Sequence, residues 1–93
     1  MIVVHVDGQA LARSFVRQVR ARMLELGVSR LELAARTGKF PAVVSRELHG
    51  HHMPSLETLL AYARALDCAL VLKTAPVQLL LVPRQRVPAE VAA

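Results

Sequence analysis

Residues 28–50, VSRLELAARTGKFPAVVSRELHG, decide the fold. Ser29 is a good helix N-cap, and Glu32 three residues on completes a capping box. Val28 before the cap and Leu33 at the fourth helical position fit the accompanying hydrophobic staple. The spacing predicts a helix over 30–37, ended by Gly38, where a left-handed backbone angle costs least. Pro41 suits the first position of a second helix, because its missing N–H would be unpaired there anyway. Val44 and Leu48, four apart, give that helix one apolar face. Two short helices around a glycine turn result.

Working outward, Leu11, Phe15, Val19 and Met23 recur every four residues, flanked by Val16 and Leu26. They predict a helix over 9–26, ended by Gly27. Arg13, Arg17 and Arg20 share its other side and read mainly as a solvated face, with one or two able to reach phosphate. Before it, residues 2–6 (IVVHV) are a β-branched run closed by Asp7-Gly8, the signature of a short strand and turn.

On the other flank, Ser55 caps a helix with Glu57 in its first turn. Its core face is Leu56, Leu59, Leu60, Ala63 and Leu66, joined by Leu33, Ala34 and Val44, with Tyr62 and Arg64 on the surface. From Cys68 the pattern changes. CALVLKT and VQLLLV, parted by Ala75-Pro76, predict two strands or one broken strand covered on both faces. Pairing across a two-fold axis would remove exposed edges and place Val71, Leu79 and Leu81 in a dimer interface. The expected unit is a single domain over 1–82 with its core in 9–67, followed by a loose Pro- and Ala-rich tail over 83–93.

Composition narrows the function. The 93 residues carry 12 Lys and Arg against 7 Asp and Glu, a net charge of +5, which suits a polyanionic partner. Cys68 is the only cysteine, so no disulfide framework is expected within the chain. No run of about 20 apolar residues suggests a membrane span, and nothing near Met1 reads as a secretory signal, so a cytoplasmic protein is expected. The three histidines of HGHH (49–52) fit no usual metal-ligand spacing; phosphate contact or solvent exposure is the better reading. No dyad spacing or glycine-rich phosphate loop indicates an enzyme or a cofactor.

Ala34, Gly38 and Val44, and the run VSRELHGHHMPSLETLLAYARALD that follows, resemble the phage-repressor (Cro/CI, or Xre-type) helix-turn-helix family. The resemblance spans residues 28 to about 70. It implies a mainly α fold of four to five helices, with the short terminal strands forming a small, dimeric sheet. It also implies that a recognition helix at about 41–49 enters the major groove of double-stranded DNA. Carried over by alignment, the base-reading positions are Phe40, Pro41, Ala42, Ser45 and Arg46, and the phosphate contacts are Arg30, Lys39, His49 and His51. Arg46 suits a bidentate contact with guanine; a phosphate contact or an ion pair with Glu47 is its alternative. Phe40 departs from the usual Ser or Thr cap, and Leu31 and Thr37 exchange the usual polarity. A dimeric transcriptional repressor follows, or else an antitoxin that neutralises a cognate toxin and represses its own operon.

Overall fold

The computed structural model describes residues 7–74 and 76–87, so the strand expected at 2–6 lies outside the described residues. Four α-helices precede a β-hairpin: α1 (Gly8–Leu26), α2 (Arg30–Thr37), α3 (Pro41–Glu47), α4 (Leu56–Ala65), β1 (Cys68–Thr74) and β2 (Val77–Pro83). The local signals explain most boundaries. Asp7 is the N-cap of α1, its carboxylate accepting the N–H groups of Gln9 and Ala10, so Asp7-Gly8 opens a helix rather than only closing a turn. Ser29 caps α2 through the N–H of Glu32 at 3.1 Å; the Glu32 carboxylate pairs with Arg36. Gly27 and Gly38 both take left-handed angles, with φ of 67° and 68°. The recognition helix is shorter than the sequence suggests and stops at Glu47.

Phe15, Val19, Leu33, Val44, Tyr62 and Leu66 form the centre of the core. Tyr62, expected on the surface, is fully buried, whereas Leu56, expected in the core, is 65% exposed. Leu56 is the first residue of α4, before the helix has come down on its neighbours. Leu26 is likewise exposed, one residue before Gly27 ends α1. Arg22 is the buried cation of the fold. Its Nε donates to the Leu66 carbonyl at 3.0 Å, closing the end of α4, and its Nη1 pairs with Glu25. Beside it, burial pushes the Cys68 thiol up, which leaves it a poor nucleophile.

β1 and β2 pair antiparallel, with Leu70 opposite Leu81 and Leu72 opposite Leu79. Leu79 and Leu81 face inward and belong to the chain's own core, so they are not free to meet a partner as the dimer reading required. An all-apolar strand hides which face is inner until α1 is laid against it. The other face carries Ala69, Val71, Leu80 and Val82, all partly exposed. Residues 83–87 are not loose either: Pro83 is buried, Arg84–Arg86 form a 3-10 turn, and Arg84 and Arg86 pair with Asp67 and Glu25.

Gln18 closes one edge of the hairpin. Its amide donates to the Leu79 carbonyl at 2.8 Å and accepts the Leu81 N–H at 2.7 Å, occupying the place of a neighbouring strand. Backbone groups point alternately inward and outward in an antiparallel ladder. The outward groups of β2 are thus those of Leu79 and Leu81, and those of β1 belong to their partners Leu72 and Leu70. Among the described residues no strand pairs with that second edge. Replacing Gln18 by Ala orphans one carbonyl and one N–H, at a cost of about 1–3 kcal/mol. Urea denaturation of Gln18→Ala should show that loss, while Gln18→Glu should recover the Leu81 bond alone.

Candidate nucleic-acid interface

The two faces of α3 are set by its spacing. Val44 is fully buried and Leu48, just past the helix end, is 6% exposed; they fasten the helix to the core. Ala42, Ser45 and Arg46, at i, i+3 and i+4, lie on the outer side, with Ala42 and Arg46 exposed and Ser45 partly so. Phe40 precedes the helix in an extended conformation, makes no side-chain cap, and exposes 79% of its surface. Pro41 then supplies the first helical residue. This face is polar at its centre and carries an uncovered aromatic ring at its N-terminal end.

Arg30, at the start of α2, donates to the Ser45 hydroxyl at 2.8 Å. Two of the residues singled out from the sequence are thereby joined across the turn, one from each helix. Lys39 is placed otherwise. It sits 3.2 Å from the Glu47 carboxylate and 5.8 Å from the centroid of the Tyr62 ring, and is only partly exposed. Tyr62 donates to the same carboxylate at 2.7 Å. Glu47 therefore serves Lys39 and Tyr62, fixing the turn to α3 and α3 to α4. Arg46 is left without an ion pair among the described residues, which removes the Glu47 pairing as an account of it.

Burial, reinforced by the Glu47 hydrogen bond and charge, raises the Tyr62 phenol far above its ordinary value. A raised pKa means that the fold favours the neutral phenol. Its contribution to stability is complete below about pH 10, the unfolded value, and is lost as pH climbs beyond it. Tyr62 is the only tyrosine and there is no tryptophan, so phenolate absorbance at 295 nm reports this group alone. The absorbance should rise together with the loss of helical circular dichroism. A phenolate appearing near pH 10 in a fully helical protein would contradict the buried arrangement.

The arginines of α1 reach further into this surface than a merely solvated face would. Arg20 donates to the Leu48 carbonyl at 3.0 Å, at the C-terminal end of α3. Arg13, Arg17 and Arg20 line a groove of about 210 Å³ with His49 and Gly50, and Arg20 and Arg30 line a second of about 150 Å³ with Ser45. A basic band thus runs from α1 past the end of α3 to the start of α2. The spacing of Arg13, Arg17 and Arg20 was visible in the sequence; their position beside α3 was not. His49, His51 and His52 are all exposed in the loop after α3. Among the described residues no cluster of His, Cys, Asp or Glu is arranged to hold a metal ion.

The sequence pattern of a family described as helix-turn-helix matches residues 19–72, more than half of the chain. The chain belongs to that family. No curated protein and no solved structure matches it. The match takes in the second half of α1, both helices of the motif, α4 and most of β1, so the helix-turn-helix protein is a DNA-binding regulator of the Xre (Cro/CI) type. In such motifs the second helix enters the major groove and the first crosses the backbone. Here these are α3 and α2. No helix among the described residues is long and apolar enough to cross a membrane.

Proposed function

We propose that this helix-turn-helix protein is a sequence-specific repressor that binds an operator in double-stranded DNA as a homodimer, in the cytoplasm. The observation that carries the reading is Arg46: exposed on the outer side of α3, one turn beyond Ala42, and unpaired because Glu47 is engaged by Lys39 and Tyr62. A guanidinium held in that way is available for guanine O6 and N7. Phe40, Pro41, Ala42 and Ser45 supply the remaining base contacts; Ala42 and the Phe40 ring suit thymine methyl groups. Arg30, His49, His51 and the Arg20 end of the basic band meet phosphates, and Lys39 adds charge from the turn.

The dimer rests on the hairpin. Gln18 closes the β2 edge, so the β1 edge and the apolar side made by Val71 and Leu80 are the surfaces offered to a second copy. Two copies related by a two-fold axis would read two half-sites about one helical turn apart. Selection from a random duplex pool tests this: an inverted repeat with that spacing is expected, and a single unrepeated half-site would argue for a monomer.

Antitoxin action is the second reading. It is favoured by an apolar surface remote from the hairpin, where Leu24 is 84% and Leu31 64% exposed. Leu24 lines a cavity of about 420 Å³ with Met23 and Val28. Co-expression with the product of the adjacent reading frame distinguishes the two: relief of its toxicity, lost in Leu24→Lys, would establish neutralisation.

A further inference from the structure

Gly50 is buried with φ of 77°, and a side chain there would stand 3.5 Å from Arg13 and 3.7 Å from Val16. The left-handed turn pins the HGHH loop against α1 and presents its histidines outward. His49 and His51 stack with ring centroids 5.7 Å apart and an interplanar angle of 21°. With His52, Met53 and Pro54 they wall a cavity of about 420 Å³ whose other side is Arg46 and Glu47. The adjoining groove brings Arg13, Arg17 and Arg20 from α1 against His49. The approach to α4 adds only Met53 and Pro54, which carry no charge. The one carboxylate in these walls, Glu47, is already shared by Lys39 and Tyr62.

We propose that this cavity is a proton-coupled phosphate seat, so that binding of DNA takes up protons on the HGHH histidines and tightens as pH falls. The proposal rests on the DNA-binding reading above and adds its regulation. Histidine is the side chain whose charge ordinarily changes between about pH 5 and 8. Two stacked imidazoles bordered by four arginines cannot both carry charge without an anion to offset the repulsion. A backbone phosphate entering beside Arg46 supplies that anion, and each imidazole it meets then holds its proton. Linkage makes the sign definite: the complex binds more protons than the free partners, so affinity rises toward acid. Each proton taken up steepens the dependence by about tenfold per pH unit where the imidazole is neutral in the free protein.

Fluorescence anisotropy on the protein's own upstream duplex, at pH 6.0, 7.0 and 8.0 and constant ionic strength, tests this. Wild type should bind about tenfold or more tightly at pH 6.0 than at 8.0. The triple variant H49Q/H51Q/H52Q, which keeps His5, should change less than about twofold over the same range. Circular dichroism at each pH checks that the variant is folded. NMR titration of the imidazole protons in wild type, free and DNA-bound, gives a second measure, with midpoints of His49 and His51 moving up in the complex. Tight binding of wild type at an affinity independent of pH would overturn the proposal and leave the DNA reading intact. So would unmoved midpoints, or a triple variant with the wild-type slope. No DNA binding at any pH would overturn both.

Discussion

Arg46→Ala should weaken binding to the operator by about 1–3 kcal/mol, roughly five- to 150-fold, while leaving the melting temperature within a degree or two of wild type. The two parts of that expectation follow from one arrangement. Arg46 is exposed and bonded to no carboxylate among the described residues, so its removal orphans nothing in the fold. Its neighbour Glu47 carries the structural burden. The loss should fall mainly on one guanine in each half-site: operator variants changed at that base should bind wild type and Arg46→Ala alike. Arg46→Lys should not restore the wild-type preference, because an ammonium lacks the fork that contacts O6 and N7 together. Arg20→Ala should behave differently. It removes charge from the basic band, so it should lower affinity on operator and unrelated DNA alike and reduce the salt dependence.

Tyr62→Ala should be the most destabilising change. Deleting a fully buried aromatic ring costs about 3–5 kcal/mol, and small domains have only about 5–15 kcal/mol in all. At about 4–8 °C per kcal/mol the melting temperature should fall by more than about 10 °C. Tyr62→Phe separates the ring from its hydroxyl. It keeps the packing and removes one charge-assisted hydrogen bond to Glu47, which remains paired with Lys39, so a loss of about 1.5–3 kcal/mol is expected. If Tyr62→Phe were as unstable as Tyr62→Ala, the ring would not be the principal anchor of α4. DNA affinity per folded molecule should fall in Tyr62→Phe by a smaller factor than in Arg46→Ala, since Lys39 still ties Glu47 to the turn.

The elements set by local chemistry were legible in the sequence. Ser29, Gly38, Pro41 and Ser55 act through backbone groups within a few residues, and each is found where its chemistry places it. The elements set by distant neighbours were not. Tyr62 reads as polar beside Ala61 and Ala63, and only the Glu47 carboxylate, 15 residues earlier, makes its burial affordable. Arg22 reads as one more surface arginine, yet it closes the end of α4 through the Leu66 carbonyl. VQLLLV has no alternation from which to choose a face, and Gln18 of α1 decides it. At the candidate site, the outer face of α3 followed from the spacing of Val44 and Leu48. The pairing of Arg30 with Ser45, the engagement of Lys39 and the nearness of Arg20 required the helices in place.

Fluorescence anisotropy on DNA from the protein's own upstream region, compared with a scrambled duplex across a salt series, tests the central claim most directly. The account predicts that wild type prefers the upstream duplex by at least about a thousandfold near physiological salt, with the preference surviving as salt rises. Equal affinity for both duplexes, collapsing together with added salt, would mean phosphate attraction alone and would contradict sequence-specific reading by α3.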